Sequence, residues 1–319
     1  MVSIRRGLQK FTSNRALFFD SIVKNFLRFL PDKLYLSLRY RCIMGRWIDW
    51  KHPQTFTEKI QWLKVFNRRP EFITMVDKYA VKEYVANIIG PDYIIPTIGV
   101  WNNPSEINWD SLPNQFVLKT THGGGSCGVV ICKDKNTLNR ENTIAKLSES
   151  LKHDIYIGFR EWPYRDVPRR IIAEQYIEQP NLELCTDLSD YKFFCFNGEP
   201  KVFKIDFNRF NNHKTNYFDI DGNLLPFGEA DYPPILDINI EVPQNLPEMV
   251  ELARKIAVGL PFARIDLYNT NGKILFGEIT LFPTSGFGRF TDDKWDRLLG
   301  SWLELPNKLN NLTWNLQYQ

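Results

Sequence analysis

The chain has 319 residues, 43% hydrophobic and 24% charged, enough for two or three packed lobes and too apolar to stay disordered. Its net charge of +3 offers no footprint for nucleic acid. That sum conceals an asymmetry: residues 1–60 carry 12 Lys/Arg against 4 Asp/Glu (net +8), and the rest carries 28 against 33 (net −5).

No apolar stretch reaches the ~20 residues that span a bilayer. Ala16 to Leu30 comes nearest, but Asp20, Lys24 and Arg28 interrupt it, and no small-residue cleavage site follows. The five cysteines (Cys42, Cys127, Cys132, Cys185, Cys195) form no CxxC, and the four histidines no HExxH, so neither zinc nor a disulfide framework is expected. The expected setting is cytoplasmic, with reduced thiols.

Residues 1–70 are helical in pattern. Phe18, Ile22, Phe26, Phe29 and Leu30 recur at helical spacing, with Lys24 and Arg28 on other faces. Two readings stay open for this basic, aromatic helix. It lies on an anionic membrane surface, or it forms an extra layer packed on the body by its aromatic face, the more ordinary outcome. Thr74 precedes a helix over Met75 to Ile89, ended by Gly90-Pro91. Tyr93 to Val100 reads as a strand, Phe116 to Lys119 as a second, and Val129 to Cys132 as a third after the glycine-rich loop 120–128. A helix over 137–152 and a strand over Arg170 to Ile177 follow. Tyr191 to Phe196 and Lys201 to Phe207 form a hairpin around Asn197-Gly198, and Tyr217 to Ile220 turns through Asp221-Gly222-Asn223 into Leu224-Leu225. After a helix over 246–258, strands Ala263 to Tyr268 and Ile274 to Leu281 flank Asn271-Gly272. The class is α+β with mostly antiparallel sheet, which weighs against a doubly wound dinucleotide fold.

The loop His122 to Gly128 formally contains GxGxxG at Gly123, Gly125 and Gly128. A Rossmann turn needs a helix next, whereas Val129-Val130-Ile131 favours a strand, and no Lys-Ser/Thr follows as in a Walker loop. What remains is a hairpin tip whose backbone N–H groups can converge on phosphate, beside the in-strand Lys119. His122 is read as an exposed turn residue or a phosphate contact. On the last hairpin, Arg264 and Asp266 share a strand face, and pairing about Asn271-Gly272 brings Asp266 near 276–278, so that Asp266 and Glu278 converge. Two carboxylates beside an arginine suit Mg²⁺ held against nucleotide phosphates, although solvent-facing cross-strand polarity is common.

In this order the chain resembles the ATP-grasp superfamily. It most resembles its TupA-like members, amidoligases of teichuronopeptide and capsular polysaccharide biosynthesis. The stretches HPQTFTEKIQWLK (52–64), DKYAVKEYV (77–85), FVLKTTHGGGSCGVVI (116–131), AEQYIE (173–178), DYKFFCFNGEPK (190–201), and FARIDLY with GKILFGEITLFPTSGF (within 262–287) carry the likeness over roughly residues 32–305. The resemblance implies two α+β lobes clasping ATP, with an N-terminal helical extension. It divides the chain at 1–70, 71–115 (pre-grasp segment), 116–180 (central lobe), 181–305 (C-terminal lobe) and 306–319.

It further implies an ATP- and Mg²⁺-dependent ligase that phosphorylates a carboxylate and passes the acyl group to an amine. Lys82 and Lys119 would meet phosphates, with Lys78 as a neighbour. Gly123, Gly124, Gly125, Ser126 and Gly128 would form the lid. Glu174, Tyr176 and Ile177 would form the adenine hinge. Asp190, rather than Glu183, would hold the ribose, with Lys192 on its face. Arg209, Arg264 and Lys119 would steady the transferring phosphoryl group, and Asp266, Glu278 and Thr280 would hold metal. Thr280 stands where the superfamily commonly has Asn, which leaves the number of metal ions open. The partners implied are a small-molecule or glycan carboxylate and an amine. The basic residues 1–60 would serve peripheral attachment at the inner membrane face or a polysaccharide-assembly partner. A glycosyltransferase and a non-catalytic nucleotide binder are the competing readings.

Overall fold

A computed structural model describes residues 15–125, 128–178, 190–207, 213–235 and 242–307. Two antiparallel sheets organise it. The smaller contains β1 (Thr97–Trp101), β2 (Phe116–Thr120), β3 (Val130–Cys132) and β4 (Ile171–Gln175) in the order β1-β4-β2-β3. The larger contains β5 (Asp190–Phe196), β6 (Glu199–Phe207), β7 (Lys214–Asp219), β8 (Phe262–Thr270) and β9 (Lys273–Thr280) in the order β7-β6-β5-β8-β9. The mixed, antiparallel class agrees with the expectation from sequence.

Local chemistry explains the hairpins. Asn197-Gly198 and Asn271-Gly272 both adopt positive φ at both positions, the backbone a tight two-residue turn requires. In β8–β9 the register slips once: Leu267 opposes Phe276 but Asp266 opposes Glu278, leaving Gly277 as the extra residue of a bulge. Without that slip Glu278 would sit opposite Ile265 and point to the other face. A Cβ at Gly277 would lie 3.0 Å from the Asp266 carbonyl oxygen, so the bulge suits glycine.

The helices are α1 (residues 15–26), α2 (Asp32–Met44), α3 (Phe56–Phe66), α4 (Glu71–Val76), α5 (Ala80–Ile89), α6 (Arg140–Lys152), α7 (Ile155–Phe159), α8 (Leu246–Ala257) and α9 (Asp293–Trp302). A capping box starts α3: the Thr55 side chain accepts from the Glu58 amide while Glu58 accepts from the Thr55 amide. The ring of Phe56 then enters the aromatic core of the larger sheet, 5.0 Å from Phe262 and 5.8 Å from Phe196. The helical front end is thereby built into the main core. Likewise β1, from the 71–115 segment, is an edge strand of the smaller sheet, paired to β4.

Three sequence expectations are corrected. The single helix over 75–89 is two, α4 and α5, broken where the buried Asp77 carboxylate accepts from the Tyr79 and Ala80 amides and pairs with Arg170 at 2.7 Å. The hairpin after Tyr217 reduces to a Phe218–Leu224 bridge, and the strand itself begins earlier, at Lys214. Finally, α1 packs on the body, but not by its aromatic face. Val23, Leu27 and Leu30 turn inward, whereas Phe18, Phe26 and Phe29 are exposed. The reason is Asp20, three residues before Val23 on the same helical face, which must reach the buried Arg39 (2.7 Å).

Candidate active site

On the smaller sheet Glu174 lies opposite Val117, so Lys119, two residues along β2, reaches it diagonally. The two form an ion pair at 2.5 Å. Lys82, on α5, meets the other oxygen of Glu174 at 2.6 Å and also donates to the carbonyl of Ile95. Burial works against ionisation of Glu174, but Lys119 and Lys82 outweigh it and hold the carboxyl at about 2. The Glu174 side chain is thus the anionic bridge of a two-lysine cluster, a partnership the spacing of 82, 119 and 174 does not disclose. Tyr176 and Ile177 follow β4, half-buried.

On the larger sheet one face gathers the charges. The Arg264 guanidinium donates to both oxygens of Asp266 (2.7 Å each), to Glu278 (3.2 Å) and to the Thr280 hydroxyl (2.9 Å). The Thr280 hydroxyl in turn donates to Glu278 at 3.2 Å. Lys192 lies opposite Asp266 in the register, is paired with Asp190, and stands 3.5 Å from Asp206 and 3.6 Å from Asp266. Burial of Glu278 is overcome by Lys78 and Arg264, which hold its carboxyl well below the usual range. Burial raises Asp266 against the pull of Arg264 and Lys192.

The break between α4 and α5 connects the two clusters. Lys78 donates its ammonium to Glu278 on β9 (2.7 Å) and its amide to the Thr121 carbonyl at the end of β2, while Lys82 serves Glu174. Lys78 therefore belongs to the site as fully as Lys82. Only the helix break, invisible in the apolar periodicity, aims it there.

The glycine loop joins β2 to β3 as a hairpin connection, with Gly123, Gly124, Gly125 and Gly128 described. Gly125 and Gly128 have positive φ, and a Cβ on Gly128 would lie 2.1 Å from the Ser150 hydroxyl. Gly128 is thus required for packing against α6. His122 is not an exposed turn residue: it is 2% exposed, and burial keeps its imidazole below the usual value. Ser126, Arg209 and Glu183 lie outside the described residues.

The segment 153–169 clamps the front end. Tyr156 donates to Asp32, and Arg160 binds the carbonyls of Arg28 and Leu30 and lies 4.1 Å above the Tyr35 ring. A further buried group escaped sequence reading. The Lys64 ammonium donates to the carbonyls of Phe159 (3.0 Å) and Ser285 (2.5 Å), and burial pushes it down to about 7. It braces the turn after β9, where Thr284 and Ser285 take positive φ.

Asp266, Glu278 and Thr280 present hard oxygen donors on one face, a chemistry that fits Mg²⁺. No cluster of three or more His, Cys, Asp or Glu side chains arranged for a metal occurs among the described residues. Two carboxylates accord with Mg²⁺ coordinated partly by water and nucleotide phosphate.

Among solved structures the chain is similar to D-alanine-D-alanine ligase from Helicobacter pylori (14% identity, 78% of this chain and 69% of that one, TM-score 0.43). It is similar to the Bacillus anthracis enzyme complexed with ATP (15%, 77% and 68%, TM-score 0.40) and to the ATP-grasp ligase PsnB complexed with a phosphomimetic variant of its minimal precursor, Mg and ADP (11%, 82% and 64%, TM-score 0.38). These likenesses are distant. No curated protein matches the sequence. The TupA-like ATPgrasp family model matches residues 58–304, from α3 through the end of α9. The chain belongs to the TupA-like ATP-grasp family.

Proposed function

We propose that the chain forms an amide between a carboxylate and an amine through an acyl-phosphate, in the assembly of a bacterial surface polysaccharide. The observation that carries this reading is the pair of charge clusters, one on each sheet, joined by the Lys78–Lys82 segment and adjoining the glycine loop. A carboxylate oxygen of the substrate attacks the γ-phosphorus of ATP and ADP departs. The amine nitrogen then attacks the acyl carbon, expelling phosphate. No side-chain nucleophile is required. Lys82 and Lys119 bind phosphate oxygens, and Arg264, aligned by Asp266, faces the phosphoryl group in transfer. Arg209 adds a cation, the hinge at Tyr176 and Ile177 reads the adenine edge, Asp190 with Lys192 takes the ribose side, and the glycine loop shields the acyl-phosphate from water. Asp266, Glu278 and Thr280 would hold Mg²⁺, which when bound neutralises phosphate charge. The polysaccharide setting follows from the family resemblance.

The test is incubation with ATP, Mg²⁺ and uronic-acid or amino-acid carboxylates in the presence of hydroxylamine. Hydroxamate and ADP are expected, falling at least ~100-fold in Asp266→Asn and Glu278→Gln. Transfer from a nucleotide sugar without ADP formation overturns the reading in favour of a glycosyltransferase.

A further inference from the structure

Among the described residues, the exposed face of α1 departs from ordinary surface chemistry. Phe18, Ile22 and Phe26 recur every fourth residue and so form one stripe, which Phe29 continues just past the helix end. Phe18, Phe26 and Phe29 are 64%, 73% and 78% exposed, and Leu17 and Phe19 flank them, also exposed. Single exposed apolar residues are ordinary, whereas five large ones on a 13-residue stretch mark a contact surface. The helix is firmly seated beneath them. Asp20 is locked to Arg39, Arg160 binds the carbonyls of Arg28 and Leu30, and Val23 is buried. The aromatic rings therefore project from a fixed platform.

Charge identifies the occupant. Within residues 15–50 the acids are Asp20, Asp32 and Asp49. Asp20 is neutralised by Arg39, and Asp32 by Arg68 and Arg160. Only Asp49 stays exposed without a cationic Arg or Lys partner, whereas Arg28, next to Phe29 in the chain, and Lys33 and Arg41 on α2 are exposed. The front end thus combines an apolar stripe on α1 with exposed charges that are mainly basic. Its rings stand into solvent instead of lining a groove, which suits a fluid interior more than a shaped partner. We propose that α1 docks the protein on an anionic lipid surface, with Phe18, Phe26 and Phe29 entering the acyl boundary and Arg28 and Lys33 meeting headgroups. The inference does not depend on the reaction catalysed.

Flotation of the full-length protein with phosphatidylcholine vesicles, with and without phosphatidylglycerol, tests it. Wild type is expected to float with the anionic vesicles and not with the neutral ones. The triple variant Phe18→Ser/Phe26→Ser/Phe29→Ser should lose about tenfold or more in partitioning, and Arg28→Glu/Lys33→Glu should lose binding most at low salt. Unchanged thermal melting of both variants shows that the fold is kept. Equal recovery of wild type from neutral and anionic vesicles, or a triple variant that floats like wild type, overturns the proposal. So does a wild-type dimer that the triple variant abolishes, since the face would then join two copies of this chain.

Discussion

Glu174 sets the electrical state of the smaller sheet, because two lysines converge on one buried carboxylate. Its pKa is depressed from 4.5 to about 2 by Lys119 and Lys82, despite burial. A depressed carboxyl contributes stability that is present above the unfolded value and is lost as pH falls towards the folded one. Acidification from about pH 4.5 to 2 should therefore remove on the order of 3 kcal/mol through this residue. In Glu174→Gln the melting temperature followed over that window should fall less steeply than in wild type. Equal slopes would mean that the carboxylate does not carry the ion pairs in solution. Glu174 was read from sequence as part of a backbone hinge. Its side-chain role stayed hidden because Lys82 and Lys119 lie 92 and 55 positions away, and only the β2–β4 register brings them together.

At the level of elements, turns were more legible than faces. Asn-Gly marks both hairpins, and the alternation in β8 and β9 announces strands. Which face Glu278 occupies depends on the bulge at Gly277, a one-residue event with no periodic signature. The orientation of α1 escaped for a related reason. Its phenylalanines carry the stronger hydrophobic signal, yet one ion pair, Asp20–Arg39, turns them outward. In the glycine loop, Gly128 is confined by Ser150 and Thr120. Gly128→Ala forces a left-handed backbone on alanine, costing about 1–2 kcal/mol, and displaces the Thr120–Ser150 hydrogen bond in addition. A lower melting temperature together with weaker nucleotide binding is expected. A variant as stable as wild type would show that α6 yields without cost.

At the scale of the whole molecule, the α4–α5 break and the start of α5 serve both sheets, through Lys78–Glu278 and Lys82–Glu174. Family membership was readable because motif order survives where contacts cannot be inferred, and the match from 58 to 304 begins inside the front end assigned to the extension. The core explains why: Phe56 and its helix complete the larger sheet, so the helical region divides into a built-in part and an outer layer.

Each site cation among the described residues already has a carboxylate within reach. Lys82 and Lys119 share Glu174, while Lys78, Arg264 and Lys192 face Glu278, Asp266, Asp190 and Asp206. Seen from a distance, these five positive and five negative groups nearly cancel, and together they project little field beyond the rim of the site. On the proposed reading, a polyanion such as ATP is then not drawn in over many ångströms but recognised on arrival. Stopped-flow association rates should therefore change by less than about threefold between low and physiological ionic strength, where a steered encounter would slow steeply.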